Sequence, residues 1–154
     1  MGKLILYILC VFASNYALAQ TDSIHKTYYP NGKLSSETPY TNGKRNGVIK
    51  EYYYESGKLH REVTCTDDKQ NGAAKTYYES GKLLEEKPSN GNGVYKTYYE
   101  NGKLQQEVPY TNNKINGVGK WYYESGKLKE ERLYVNGIPN NEIKKYDENG
   151  KLAK

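Results

Sequence analysis

Short segments with alternating apolar and polar positions recur along the chain, and each is interrupted by an Asn-Gly or Ser-Gly pair. Alternation with a period of two is the pattern of a β-strand. Asn-Gly and Ser-Gly supply the positive φ angles that a two-residue hairpin loop needs. In one such unit, Ser80 and Gly81 are expected to form the loop between two short strands. The pattern therefore predicts a series of antiparallel hairpins.

The hairpin is repeated, because the tripeptide Gly-Lys-Leu occurs six times with successive spacings of 25, 24, 21, 24 and 24 residues. A unit of this length cannot bury its own apolar face and must stack on its neighbours. We expect six repeats within residues 20–154, starting near residues 23, 47, 72, 93, 117 and 141, with the last one truncated. The predicted structural turn glycines are Gly32, Gly57, Gly81, Gly102, Gly126 and Gly150.

A lysine and, two residues later, a tyrosine hold fixed places in all six copies. The lysines are Lys26, Lys50, Lys75, Lys96, Lys120 and Lys144, and the tyrosines are Tyr28, Tyr52, Tyr77, Tyr98, Tyr122 and Tyr146. These places predict a register across each hairpin. With Ser80 and Gly81 as the loop, Glu79 faces Lys82, Tyr78 faces Leu83, and Lys75 faces Glu86.

The same arithmetic pairs lysine with glutamate in other copies, as Lys26 with Glu37, Lys96 with Glu107 and Lys120 with Glu131. Opposite charges at directly opposed positions support antiparallel pairing, at about 0.2–1 kcal/mol for each pair. The second copy is one residue longer, so Glu62 would face Glu51 instead of Lys50. We therefore predict a bulge or a longer loop near Tyr54.

Alternation assigns two faces, one with a Tyr and Leu pair beside the loop, such as Tyr78 with Leu83, and one with the invariant Lys, Tyr and Glu. Residues 20–154 contain 16 tyrosines and one tryptophan but no phenylalanine or methionine. Tyrosine combines an apolar ring with a hydroxyl that stays hydrated. We expect a single-layer sheet, solvated on part of both faces. The segments starting at Thr38 and Val108 are interpreted as rigid turns between hairpins.

The first 19 residues have the pattern of a cleaved secretory signal. Lys3 precedes an apolar run from Leu4 to Phe12, and Ala17-Leu18-Ala19 supplies a small-x-small cleavage motif. The run is shorter than the roughly 20 residues that cross a bilayer. Cys10 lies inside the run and is expected to leave with the signal. Export is therefore predicted, to the periplasm, the cell surface or the medium.

The charge balance and the reactive residues favour binding over catalysis. Removal of Lys3 with the signal leaves 22 basic and 18 acidic residues, interspersed along the chain, which does not point to nucleic acid. His25 and His60 occupy unrelated places in the repeat, and Cys65 is interpreted as a packed apolar residue. The carboxylates of Glu37, Glu62, Glu86, Glu107 and Glu131 are interpreted as charge partners of lysines. No catalytic residue, metal site or cofactor is predicted.

Two features are candidate binding elements. The first is the tyrosine row of Tyr52, Tyr77, Tyr98 and Tyr122. The second is Trp121, because the same place holds Glu51, Thr76, Thr97 and Lys145 in other copies. A large aromatic residue at a usually polar place indicates either a contact hot spot or a local patch packed against Tyr123 or Tyr95.

The segment from Gly93 to Glu107, with Tyr-Tyr-Glu-Asn-Gly-Lys-Leu at its centre, resembles the MORN repeat in its bacterial variant form. The resemblance covers nearly all of residues 20–154. It implies a string of β-hairpins in an elongated, twisted meander and supplies no catalytic motif. Bacterial proteins of this kind are commonly labelled antitoxins of the YwqK family in toxin-antitoxin systems. MORN arrays elsewhere serve as protein scaffolds or membrane-docking modules.

These observations predict an elongated all-β, single-layer antiparallel meander that follows a signal peptide and acts by binding. The leading hypothesis is a protein-interaction scaffold or an antitoxin-like or immunity-like binding module, with a protein partner. The alternative is recognition of a cell-envelope glycan or a phospholipid headgroup.

Overall fold

The computed structural model describes residues 21–153, and the predicted signal peptide of residues 1–19 lies outside them. The strands are β1 (Asp22–Tyr28), β2 (Leu34–Thr41), β3 (Lys44–Arg45), β4 (Gly47–Tyr52), β5 (Leu59–Thr66), β6 (Lys69–Gln70), β7 (Ala74–Tyr77), β8 (Leu83–Lys87), β9 (Gly93–Tyr98), β10 (Leu104–Thr111), β11 (Lys114–Ile115), β12 (Gly117–Tyr122), β13 (Leu128–Val135) and β14 (Ile138–Lys145). One 3-10 turn, Ser89–Gly91, precedes β9. Within the described residues no helix is long and apolar enough to span a membrane.

All strands belong to one open antiparallel sheet in meander order, so the predicted fold class is confirmed. The short strands β3, β6 and β11 each extend one hairpin and lie off the main path. Burial is slight, as a single layer requires. The buried apolar residues of the described chain are Val63, Cys65, Ala74 and Val108, each 5–8% exposed. Burial of so few apolar residues cannot stabilise a sheet of this size, so other contacts must stabilise neighbouring hairpins against each other.

The predicted register of lysine against glutamate is confirmed. Lys75 faces Glu86, Lys96 faces Glu107 and Lys120 faces Glu131 across their hairpins. Each glutamate also faces the lysine of the next hairpin, as Glu86 does Lys96. The result is one alternating row across the sheet: Lys26, Glu37, Lys50, Glu62, Lys75, Glu86, Lys96, Glu107, Lys120, Glu131 and Lys144.

The hairpin loops differ from the two-residue form that we predicted. The backbone N–H of Tyr78 donates to the carbonyl of Lys82 (2.8 Å), and that of Gly81 donates to the carbonyl of Tyr78 (2.8 Å). The loop therefore has three residues, 79–81, and Tyr78 rather than Glu79 faces Lys82. Leu83 faces Tyr77, so its predicted pairing with Tyr78 is wrong. A bulge at Leu84 then restores the register, because one inserted residue compensates for the odd loop length.

The second copy carries the longer loop that was predicted near Tyr54. The N–H of Tyr53 donates to the carbonyl of Lys58 (2.9 Å), which leaves four residues, 54–57, in the loop. The extra residue is absorbed there, so Lys50 faces Glu62 and like charges do not meet.

Two-residue loops with positive φ occur instead at the connections between hairpins. Both central residues have φ between 48° and 88° in Asn42-Gly43, Asp67-Asp68, Asn112-Asn113 and Asn136-Gly137. This is the requirement of a type I′ turn, whose twist matches the flanking strands.

The segments at Thr38 and Val108 lie inside strands β2 and β10, so their interpretation as turns is wrong. Pro39 fits in β2 because its ring covers Gly47, where an added Cβ would lie 2.9 Å from the proline Cγ. Its carbonyl accepts a hydrogen bond from the N–H of Asn46 (3.0 Å). The proline needs no partner for an N–H that it lacks.

We expect Gly81→Ala to lower the free energy of unfolding by about 1 kcal/mol, because Gly81 has φ of 86° with nothing within 4 Å of an added Cβ. The loss would then be backbone strain alone. The matched control is Gly72→Ala, whose added Cβ meets Thr64 at an ordinary 3.5 Å. Urea denaturation of both variants measures the difference. An equal loss in both would contradict the left-handed loop geometry.

Candidate functional site

One surface of the sheet, here called the tyrosine face, carries the repeated residues. Directly opposed residues of antiparallel strands share a face. The alternating Lys and Glu row therefore lies beside a second row, in which the repeat tyrosines face the leucines of Gly-Lys-Leu. The pairs of this row are Tyr28 with Leu34, Tyr52 with Leu59, Tyr77 with Leu83, Tyr98 with Leu104, Tyr122 with Leu128 and Tyr146 with Leu152.

The tyrosine hydroxyls of this row donate to glutamates of the preceding repeat. The pairs are Tyr52 with Glu37 (2.7 Å), Tyr77 with Glu62 (2.6 Å), Tyr98 with Glu86 (2.9 Å), Tyr122 with Glu107 (2.7 Å) and Tyr146 with Glu131 (3.0 Å). The structure thus brings the candidate binding tyrosines Tyr52, Tyr77, Tyr98 and Tyr122 into one row. Their hydroxyls, however, join repeats to one another, which leaves the half-buried ring surfaces for any partner.

A second tyrosine of each hairpin bonds in the opposite direction along the array, and the sequence reasoning missed it. Its hydroxyl donates to the backbone carbonyl of the repeat tyrosine in the next hairpin. The pairs are Tyr29 with Tyr52 (2.6 Å), Tyr53 with Tyr77 (2.6 Å), Tyr78 with Tyr98 (2.8 Å), Tyr99 with Tyr122 (2.7 Å) and Tyr123 with Tyr146 (2.8 Å). The repeated Tyr-Tyr pair was the signal for this contact.

Loop side chains add a third connection between neighbours. The ammonium of Lys58 donates to the carbonyl of Glu79 (2.9 Å), that of Lys103 to Ser125 (2.7 Å), and that of Lys127 to Glu148 (2.8 Å). Lys33 makes the equivalent contact with the carbonyl of Glu55. In these four hairpins the lysine of Gly-Lys-Leu therefore links adjacent loops.

The hydrogen-bonded tyrosines are held in their protonated form. Two effects raise the pKa of these side chains to about 12. The larger is partial burial, and the next is the hydrogen bond that each hydroxyl donates to a glutamate. The residues are Tyr52, Tyr77, Tyr98 and Tyr122. Glu37, the first glutamate acceptor of the array, has its pKa shifted in the opposite direction. Hydrogen bonds from Tyr52 and Lys26 lower the pKa of the Glu37 carboxyl. The Glu37 carboxylate thus acts as a charged acceptor that fixes the Tyr52 hydroxyl.

A row of exposed apolar residues borders the Lys and Glu row on the tyrosine face. Ile24 (63% exposed), Val48 (40%), Val94 (42%) and Val118 (43%) each lie two residues before a row lysine in the same strand. Sequence reasoning did not single them out, although an apolar residue after the repeat's opening glycine was the available signal. The tyrosine face therefore presents apolar contact area beside alternating charges.

Trp121 lies on the opposite face and is not part of the tyrosine row. It faces Gln106 and Glu130, and its indole N–H donates to the Gln106 Oε1 (2.9 Å). The ring covers Gly119, since an added Cβ there would lie 2.9 Å from the indole and 3.5 Å from the ring of Tyr134. Other copies hold Ile49, Ala74 and Tyr95 at the place of Gly119. The indole thus fills the space of a missing side chain.

The opposite face also contains two open clefts. One, of about 580 Å³, is lined by Glu85, Lys87, Pro88, Gly91, Tyr95, Tyr110 and Asn113. It lies beside the turn at Ser89–Gly91, and the Tyr95 hydroxyl donates to Glu85 (3.1 Å) next to it. A second cleft, of about 500 Å³, is lined in part by Arg45, Arg61 and the buried Cys65. Cys65 packs with Val63 and Ala74.

The geometry of the titratable residues is that of structural charge pairs. Lys26 contacts Glu37 at 2.9 Å, and Lys120 contacts Glu107 at 3.9 Å. His60 packs against the ring of Tyr53, with centroids 4.4 Å apart. Across residues 21–153, no group of three or more His, Cys, Asp or Glu side chains is placed to hold a metal ion.

Comparison with known proteins finds one family. Six segments of the chain match the sequence model described as MORN repeat variant: residues 22–42, 45–64, 70–90, 91–112, 115–136 and 139–154. No curated protein matches the chain.

We expect Tyr98→Phe to destabilise the array by about 1–2 kcal/mol, because it removes the hydroxyl that donates to the Glu86 carboxylate. Tyr28→Phe is the matched control. Tyr28 holds the same place in the first repeat, where the ring is 62% exposed, and its substitution should change stability by less than about 0.5 kcal/mol. Chemical denaturation separates the two variants. Equal effects would show that the inter-repeat bond contributes nothing.

The raised tyrosine pKa values predict alkaline unfolding. A tyrosine with an unfolded pKa of 10.0 and a folded pKa of about 12 binds its proton more tightly in the folded state. Its contribution to stability is therefore complete below pH 10 and is lost as the pH rises towards 12. The tyrosinate absorbance that develops above pH 10 should appear together with the loss of β-sheet circular dichroism. Ionisation of all the tyrosines well below pH 12 with the sheet intact would contradict the prediction.

Proposed function

The chain belongs to the MORN repeat variant family, and we propose that it is a non-catalytic scaffold that binds a protein partner along its tyrosine face. Repeats of this family commonly take part in protein or membrane binding. The match is to a repeat that is typically non-catalytic, in agreement with the structural charge pairs of the site.

The observation that carries this proposal is the composition of the tyrosine face. Apolar contact area is supplied by the exposed side chains of Ile24, Val48, Val94 and Val118. The neighbouring lysines and glutamates supply positive and negative charges at fixed positions. The inter-repeat hydrogen bonds hold the face in one conformation before any partner arrives. Binding to such a surface costs little ordering entropy.

Export and the kind of partner are further parts of the proposal. The pattern of residues 1–19 favours delivery to the periplasm, the cell surface or the medium. The resemblance to the YwqK family antitoxin group favours an immunity-like role against a protein toxin. An exported immunity protein would meet such a toxin outside the cytoplasm.

A second candidate function is recognition of a cell-envelope glycan, favoured by the cleft on the opposite face. Tyr95 and Tyr110 offer rings there, beside the polar side chains of Glu85, Lys87 and Asn113. A phospholipid headgroup is less favoured, because the glutamates of the tyrosine face interleave with the lysines and leave no concentrated basic patch.

Partner capture tests the proposal. The tagged chain is crosslinked in its native host and the captured proteins are identified by mass spectrometry. One dominant protein is expected with the natural chain, and its recovery should fall at least about tenfold with Val94→Lys/Val118→Lys, since charges replace apolar contacts at two points. The matched control is Ile143→Lys. Ile143 is 42% exposed, like Val94, but faces Arg132 on the opposite face.

The variants also separate the alternatives. Loss of the partner with Ile143→Lys or Trp121→Ala, but not with the valine variant, would reject the tyrosine face. Absence of any captured protein, together with glycan-array binding that Tyr95→Ala abolishes, would replace the proposal with the glycan function.

A further inference from the structure

The first strand, β1, is an edge of the sheet whose seven residues are all exposed. Two contacts show which way the backbone N–H and carbonyl groups of β1 point. The N–H of Asn42 donates to the carbonyl of Thr21 (2.9 Å), so the odd-numbered residues of β1 point their backbone groups towards β2. Ile24 faces Pro39, which has no N–H to donate. The even-numbered residues of β1 therefore point their backbone groups away from the sheet.

The side chains of the even-numbered residues form a self-complementary pattern. Asp22, Ile24 and Lys26 lie at every second position of β1, on the tyrosine face. We propose that β1 pairs antiparallel with β1 of a second copy of this chain, about a two-fold axis that passes between the two Ile24 residues. In this register each Ile24 faces its counterpart, and Asp22 of each copy faces Lys26 of the other.

This register is selected by charge. The backbone direction allows only even-numbered residues to pair with even-numbered residues across the edge. A shift of one copy by two residues along the strand would place Ile24 opposite Lys26, and a larger shift would place Lys26 opposite Lys26. An edge lysine ordinarily discourages strand addition. Within one chain, Lys26 already contacts Glu37 and Asp22 accepts a hydrogen bond from the Thr41 hydroxyl. Only the register centred on Ile24 adds an attraction between Asp22 and Lys26 across the edge.

The other edge of the sheet is less suited to regular pairing. The N–H of Ala153 donates to the carbonyl of Lys145 (2.7 Å), so the chain itself covers part of β14. The register of β14 against β13 also shifts between the pairs of Arg132 with Ile143 and Tyr134 with Pro139. Bulges and prolines on an edge strand hinder strand addition. In β1 the register against β2 shifts only at its end, between Thr27 and Tyr28, so β1 is the more regular edge of the described chain.

The dimer would extend the proposed binding surface. A two-fold axis between antiparallel strands of one sheet runs perpendicular to that sheet, so both tyrosine faces point to the same side. The charge alternation of Glu37 and Lys26 continues across the interface into Asp22 of the second copy. One dimer would present twelve repeats instead of the six that match the family, and one partner molecule could contact both halves.

Sedimentation equilibrium of the purified chain over a range of concentrations tests the dimer. We expect a reversible monomer to dimer equilibrium, with the dissociation constant raised at least about tenfold by Asp22→Lys, because two attractive pairs become repulsive. The matched control is Glu142→Lys, which makes the same change in net charge on the exposed strand β14 and should leave the constant unchanged. Thermal melts followed by circular dichroism check that both variants fold.

A site-specific crosslink tests the register. Residues paired through backbone hydrogen bonds across antiparallel strands have Cα atoms about 5.5 Å apart. In a background with Cys10 and Cys65 changed to alanine, Ile24→Cys should therefore form a covalent dimer with a short bis-maleimide. Ile143→Cys, on the other edge strand, should not. A monomer at every concentration, equal effects of the two lysine variants, or equal crosslinking at both positions would each overturn the proposal.

Different results would reject the dimer and the proposed function. A monomeric chain that still captures its partner would reject only the dimer, whereas a dimer that captures no protein would reject only the scaffold.

Discussion

Hydrogen bonds from tyrosine hydroxyls to neighbouring repeats are the interaction on which this structure depends. A single-layer sheet has no second layer to pack against, and only four apolar residues in the described chain are buried. Each interior hairpin instead sends one hydroxyl backwards, as Tyr98 does to Glu86, and one forwards, as Tyr99 does to the carbonyl of Tyr122. Stability in such an array is close to a sum of contacts between nearest neighbours. Tyrosine suits this position because its ring covers the sheet while its hydroxyl reaches across a strand.

The same hydrogen bonds limit what the tyrosine face can offer a partner. A hydroxyl that already donates to a carboxylate, as Tyr77 does to Glu62 at 2.6 Å, is committed to the fold. The proposed recognition of a partner on this face would then use ring surfaces, the exposed valines and the charged row. In the proposed scaffold, partner selectivity would lie in the residues that differ between repeats. The opposite face has a separate chemistry, because Trp121 fills the space over Gly119 and a cleft forms beside Tyr95.

Candidate binding residues were only partly accessible from the sequence. The repeated places of Tyr52 and Tyr98 predict a row, and the structure does bring them together. Trp121 stood out as a departure from the repeat, but its placement opposite the row depends on strand parity and on the absent side chain of Gly119. The exposed valines were missed, because an apolar residue in an alternating strand does not reveal whether its face is covered.

The repeat, the single layer and the pairing of lysine with glutamate could all be predicted from the sequence, because these features follow from spacing and composition. The register of Lys75 with Glu86 was correct even though the predicted loop was wrong. The details beside the loop could be seen only in the folded chain, where the loop has three residues instead of two and the bulge at Leu84 compensates. It also placed Pro39 within a strand, where its ring covers Gly47. The extra loop residue and the bulge cancel, so the register of Lys75 with Glu86 is the same with both as with neither. The spacing of residues in the sequence therefore cannot reveal them, whereas the backbone hydrogen bonds can.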